Sequence, residues 1–138
     1  MKIYPTKEEI LAYADLLTSD DIDLMNYWRT AFYSGYKSSD NLNKTEMLLT
    51  IVDMLLGKNK QVSIMFGDKY CFLPKDRLII LDHHNPSIIS TLHEIGHAKF
   101  GPNELKACAW SVQMFQTVFP KAYSKLEWHG HMLKKGAT

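Results

Sequence analysis

Residues 90–107 read STLHEIGHAKFGPNELKA. Two histidines flank a glutamate, and a second glutamate follows a Gly-Pro break. Helix signals bracket the stretch. Asn85 is a good N-cap and Pro86 suits the first helical position, while Gly101-Pro102 is a strong stop. These signals predict a helix over 85–101. On it His93 and His97, four residues apart, project from one face, one turn above the other. Asn103 can cap a further helix that carries Glu104 in its first turn and ends before Pro120.

Upstream, the texture is that of short strands. QVSIMF, YCFL and RLIILD are separated by Gly-Asp-Lys and Pro-Lys-Asp turns. Further upstream the apolar residues recur at helical spacing. Thr6 and Glu9 form a capping box ahead of Ile10, Leu11, Ala14 and Leu17. A second helix is expected over about residues 22–33, then a polar loop KSSDNLN at 37–43, then a third helix from Met47 to the stop at Gly57. Their Met-rich and aromatic stripes read as core. Downstream, AYSKLEWHGHMLKKG is basic and aromatic and is expected to be helical in part. The fold class expected is therefore α+β in one domain. A helical part spans 1–58, a small twisted sheet 60–82, the motif helix 85–101 and a C-terminal helical part 103–138.

Composition narrows the class further. The 138 residues suffice for one buried core. A net charge of +1 gives no global reason to bind nucleic acid or an anionic surface. Residues 99–138 do carry six Lys/Arg against two Asp/Glu, which reads as a solvated basic end. No reading helix or stacking motif supports specific nucleic-acid binding. The polar start MKIYPTKEEI has no signal-like apolar region, and no run is long enough to span a membrane. Two cysteines, Cys71 and Cys108, fit a reducing compartment, so a cytoplasmic location is expected. Nothing in the sequence specifies an oligomeric state.

The chemistry lies in HEIGH, residues 93–97. Two imidazoles at a spacing of four suit a shared Zn²⁺, and Glu94, about 100° around the helix, can reach a water on that ion. This is the HExxH pattern of the zincins; the competing explanation is an amphipathic helix with two half-buried histidines. Gly96 in mid-helix costs about 1 kcal/mol relative to Ala, which suggests a close neighbour. A catalytic zinc needs a third protein ligand and an open position. Phe100 and Asn103 stand where a metzincin would have Gly and His, so that class is excluded. Glu104, past the Gly-Pro turn, is the better third ligand, with His129 or His131 as fallbacks. His129, His131 and Tyr123 are the candidates for a donor to the transition state. Cys108 is either a further ligand or a small buried hydrophobe. His83 and His84, in DHHN, read as a loop with a smaller prospect of binding metal or substrate.

HEIGHAKFGPNELKACAW resembles the gluzincin-type zincin metallopeptidases. It is most similar to the small ImmA/IrrE-like and phage-encoded enzymes, in which HE-(Leu/Ile)-G-H is followed by ExxA; here Glu104 and Ala107 match that second element. The resemblance covers roughly residues 60–118 and is specific at 93–107. It implies a minimal zincin-like fold, Zn²⁺ as cofactor and a polypeptide substrate lying extended along an edge strand. The platform would be strand 78–81 or the YCFL run. Three positions differ from the pattern: a shorter step from His97 to Glu104, Cys108 where Asp or Asn is common, and Lys99 in place of an apolar residue. The function expected is peptide-bond hydrolysis by a zinc-activated water in an intracellular protein, with Glu94 as general base. The alternative is a catalytically inactive zinc-binding module acting as an interaction or inhibitor protein.

Overall fold

The computed structural model describes residues 4–57 and 62–135. The parts of the expected segments at 1–3, 58–61 and 136–138 lie outside the described residues. The architecture is α+β. Helices α1 (Lys7–Ala12), α2 (Ser19–Ser38) and α3 (Asn41–Leu56) precede strands β1 (Ser63–Gly67), β2 (Cys71–Leu73) and β3 (Leu78–Asp82). Then come α4 (Ile88–Phe100), α5 (Glu104–Val118), the short α6 (Pro120–Ser124) and a hairpin of β4 (Leu126–His129) and β5 (Met132–Lys135).

The capping box opens α1 as expected, with Thr6 and Glu9 bonded reciprocally. The helix is shorter than the spacing of Ala14 and Leu17 suggested, because Tyr13 is extended and Asp15 is left-handed at φ 65°. The reverse holds for α2, which outruns the expected 22–33 at both ends. Thr18 caps its start by accepting from the Asp21 amide, and Ser38 and Ser39 hydroxyls bond the Ser34 and Gly35 carbonyls at its finish. Asp40 then caps α3. The polar run at 37–43 is thus not a loop; its hydroxyls and carboxylates serve two helix ends.

The sheet has the order β1-β3-β2. β1 runs parallel to β3, and β2 antiparallel to it. Four of the five β3 residues are buried, and Ile79 and Leu81 are wholly inaccessible. This corrects one expectation: β3 is the central strand, with residues 78–80 paired on both sides, and is not an edge. β2, the other expected platform, is paired on one side among the described residues and lies against α4. The main core joins the sheet to Trp28, Leu48, Ile51, Leu92, Ile95, Trp110 and Met114. The Trp28 indole N–H donates to the Met47 carbonyl at 3.1 Å and to the Thr50 hydroxyl at 2.8 Å, so its burial leaves no orphan donor. A smaller core of Ile10, Cys108, Ala109, Val112 and Leu133 ties α1 and the hairpin to α5. The Gln113 side-chain amide reinforces it by donating to the Ile10 and Tyr13 carbonyls at the end of α1.

Two further expectations need correction. The motif helix is capped by Ser87, whose hydroxyl accepts from the Ser90 amide, rather than by Asn85. The Asn85 side chain is drawn away to Asp82, and the Tyr70 hydroxyl donates to the Asn85 carbonyl and accepts from the Ser87 amide. The C-terminal part, expected to be helical over 103–138, ends in the β4–β5 hairpin. Leu126 and Trp128 are half-buried while Glu127 and His129 are exposed, the alternation of a strand. Gly130, at φ 65°, is first in the two-residue turn, the Gly-first pattern of a type II′ hairpin. Among the described residues no helix is long and apolar enough to cross a membrane.

Candidate metal centre

The antiparallel crossing of α4 and α5 is set by small residues. A Cβ on Gly96 would lie 3.0 Å from both the Ala107 Cα and the Ala107 carbonyl oxygen, a contact so tight that α5 backbone would have to shift to admit it. That contact explains the mid-helix glycine. At the far end Gly101 takes φ 74° and its amide bonds the His97 carbonyl, ending α4. Asn103 accepts from the Lys106 amide and starts α5 with Glu104 facing back along α4.

Glu104 meets both histidines. Its Oε1 lies 3.0 Å from His93 Nε2 and its Oε2 3.0 Å from His97 Nε2. The two imidazole planes stand nearly perpendicular, with centroids 4.8 Å apart. Three of the expected residues, His93, His97 and Glu104, are therefore together. Each imidazole nitrogen lies at hydrogen-bond distance from its own Glu104 oxygen, and His93, Glu104 and Cys108 each offer a ligating atom within 4.8 Å of the others, a grouping able to hold a metal ion. The backing groups also fit. His97 Nδ1 is 2.9 Å from the Gly101 carbonyl oxygen, which can only accept, so Nδ1 carries hydrogen and Nε2 is turned toward Glu104. His93 Nδ1 faces the Cys108 sulfur at 3.8 Å, and the thiol donates to Glu104 Oε1 at 3.4 Å. Cys108 thus sits behind His93 and is 1% exposed. Two imidazole nitrogens and a carboxylate form a donor set for a borderline divalent ion such as Zn²⁺.

The electrostatics agree with this arrangement. Hydrogen bonds from His93 and then His97 hold the Glu104 carboxyl well below the usual carboxylate range, against an opposing effect of burial. The Glu104 bond raises His97 above the ordinary imidazole value, burial opposing and the Gly101 carbonyl assisting. A divalent cation among these groups would take the place of the proton they share. Burial pushes the Cys108 thiol up, and the Glu104 charge adds to it.

Glu94 is 8% exposed, on α4 beside the two histidines. Burial raises its carboxyl, and the neighbouring His93 and His97 charges pull it part of the way back. A carboxyl raised in this way holds a proton more readily than an exposed one, which suits a group that takes up and returns a proton.

Of the three expected donors, the fold brings in only one. His131, in the hairpin turn, has Nε2 3.8 Å from Glu104 Oε1 and a side chain 17% exposed. Tyr4 stacks on it, with centroids 4.3 Å apart and planes within 8°. His129, at the end of β4, is 53% exposed and pairs with Glu127 at 3.9 Å. Tyr123, on α6, packs against the two cores. Gly130, the turn residue between them, was the sequence signal that could have separated His131 from His129. Tyr4 carried no such signal. Lys99 is accounted for by packing: its ammonium reaches Asp21 at 3.2 Å and lies 5.6 Å from the centre of the Trp110 ring. A cleft beside His93 is lined by Ser90, Cys108, Ser111, His131 and Met132. A wider one opens at Glu104 between Tyr4, Glu9, Pro102 and Asn103. Comparison with protein-family models, with curated proteins and with solved structures finds no match.

Proposed function

We propose that the chain is a zinc-dependent metallopeptidase of the zincin type, similar to the small ImmA/IrrE-like and phage-encoded enzymes, acting on a polypeptide in the cytoplasm. The observation that carries this reading is the placement of His93 and His97 Nε2 at 3.0 Å from the two oxygens of Glu104, with Glu94 buried alongside. His93, His97 and Glu104 would hold the ion. Zinc, when bound, supplies a Lewis acid that lowers the pKa of a water on it toward about 7. Glu94 accepts the proton of the attacking water and returns it to the departing amine nitrogen, a transfer favoured by its raised carboxyl. His131, steadied by Tyr4, donates an N–H to the oxygen of the carbonyl under attack. The substrate pairs along the free side of β2, next to α4.

One observation favours a second reading, a zinc-binding module without catalysis. His131 Nε2 is near enough to Glu104 to become a fourth ligand, and four protein ligands make a closed, structural site. Elemental analysis and cleavage of a fluorogenic peptide library separate these possibilities. The peptidase predicts one tightly held zinc at the α4–α5 centre of the wild type, lost from that centre in His93→Ala and in Glu104→Ala. It predicts zinc kept in Glu94→Gln with cleavage reduced about 10²–10⁴-fold. His131→Ala should keep zinc and slow turnover; strongly weakened zinc binding in that variant would establish the closed site instead. A wild type without zinc at this centre would sink both.

A further inference from the structure

A second group of metal-competent side chains lies outside the α4–α5 centre. Asp68 is in the turn after β1, and His83 and His84 follow β3. Because β1 and β3 are parallel, with Gly67 beside Asp82, the two segments leave the sheet together at its carboxyl end. One ligating atom from each of the three residues lies within 4.8 Å of the others.

The local bonding presents these donors in usable form. His83 Nδ1 is 2.8 Å from the Gly67 carbonyl oxygen, which only accepts, so Nδ1 carries hydrogen and Nε2 keeps its lone pair. The His83 amide bonds the same carbonyl at 3.2 Å. His84 Nε2 is 3.0 Å from Asp68 Oδ1, and the two imidazole centroids are 4.1 Å apart. The loop itself is fixed: the His84 amide donates to Asp82 Oδ1 at 3.0 Å, and the Asn41 amide group donates to the His84 carbonyl at 3.0 Å. Asp82 is occupied by the His84 amide and Asn85, which leaves Asp68 as the acidic donor. The Asp68 and His84 side chains are 86% and 62% exposed, so an ion can approach from solvent.

The geometry points to a second divalent-cation site on Asp68, His83 and His84. It takes imidazole-preferring ions such as Zn²⁺ and Ni²⁺ and excludes Mg²⁺, which demands oxygen ligands and retains its water. An ion here bridges the turn after β1 to the connection that leads into α4. The site is separate in residues from the α4–α5 centre and stands whether or not that centre holds zinc.

Calorimetric titration of the whole chain with Zn²⁺, and separately with Mg²⁺, tests it. The wild type should take a second, weaker equivalent of Zn²⁺ and no Mg²⁺. That equivalent should vanish, or weaken at least tenfold, in His83→Ala and in His84→Ala, and persist in the double variant His93→Ala/His97→Ala. Circular dichroism identifies any variant that fails to fold; Asp68→Asn, at an exposed turn, then serves in its place and should weaken the same equivalent. No such equivalent in the wild type, or one indifferent to His83, His84 and Asp68, overturns the proposal and leaves a surface ion pair. If the α4–α5 centre alone fails to bind, the wild type shows one equivalent, sensitive to His84 and not to His93.

Discussion

The α4–α5 centre and the loop cluster at the end of the sheet each pair two imidazoles with a carboxylate, yet they are held by different means. At the first, the His93, His97 and Glu104 side chains are 14%, 17% and 26% exposed and come from two helices locked by close packing. At the second, His84 and Asp68 are largely exposed and rest on turns fixed by backbone hydrogen bonds. Burial makes the first pairing consequential, because charge interactions screened by less water are stronger. Glu104 and His97 are perturbed in opposite directions by one another. An exposed pair such as His84 with Asp68 gains little by itself. The difference teaches that similar donor sets acquire different chemistry from their supports.

The largest effect should come from removing the packing that supports the first centre. In Gly96→Ala the new methyl meets Ala107 backbone at 3.0 Å, and backbone cannot step aside as a flexible side chain can. Intrinsic propensity would favour Ala in mid-helix by about 1 kcal/mol. Overpacking should outweigh it and leave a net loss of about 1–3 kcal/mol. Moving α5 also moves Glu104, so zinc at this centre should weaken at least tenfold while the His83–His84 equivalent is untouched. Chemical denaturation and zinc titration of the variant measure both. A variant as stable as wild type, with unchanged zinc binding, would mean that the helix crossing does not position the site.

Next in size is an inversion of pH dependence. His97 has a folded pKa above its ordinary 6.5, so its contribution to stability is complete below 6.5 and is lost as pH rises through the folded value. Glu104 has a folded pKa below 4.5; its contribution is complete above 4.5 and is lost as pH falls through the folded value. Glu94, raised by burial, also favours the fold less as pH increases. With a chelator present, thermal stability should therefore peak between about 4.5 and 6.5 and decline toward pH 8. With zinc the trend should reverse, because the ion requires imidazoles free of protons. Melting temperatures from pH 5 to 8, with zinc and with chelator, should differ in slope by roughly a few degrees. Parallel slopes would break the link between this centre and a metal.

Local signals made part of this legible in the sequence. HEIGH, the Gly101 stop, and the Asn103 cap that delivers Glu104 all act within a few residues, and the fold uses each of them. What escaped depends on contacts between distant segments. The polar run at 37–43 looks like a loop because capping hydroxyls and loop residues are alike until the helices they cap are known. Asn85 does not cap the helix because its side chain turns to Asp82, at the end of β3, and its carbonyl accepts from Tyr70, just before β2. The hairpin is hidden by a basic composition, although its alternation is present; without the turn at Gly130, His129 on β4 and His131 in the turn look equivalent. The stack of Tyr4 on His131 joins the two ends of the described chain and has no local signature.

The finest distinction between the two clusters is the group behind each histidine. His97 and His83 are both backed by a carbonyl, at 2.9 and 2.8 Å, whereas His93 is backed by the Cys108 sulfur at 3.8 Å. A thiol is a weak acceptor, so His93 is the least firmly oriented of the three. Cys108 also belongs to the smaller core, and its removal carries a packing cost. Cys108→Ala should lose about 1 kcal/mol from the small void. If the sulfur also orients His93, zinc affinity should fall about tenfold, the lower end for a lost outer partner. Binding at His83 and His84 should not change. Measuring stability and zinc affinity on the same variant separates the roles. A stability loss with unaltered affinity assigns the cysteine to packing alone, and leaves His93 held by its helix and by Glu104.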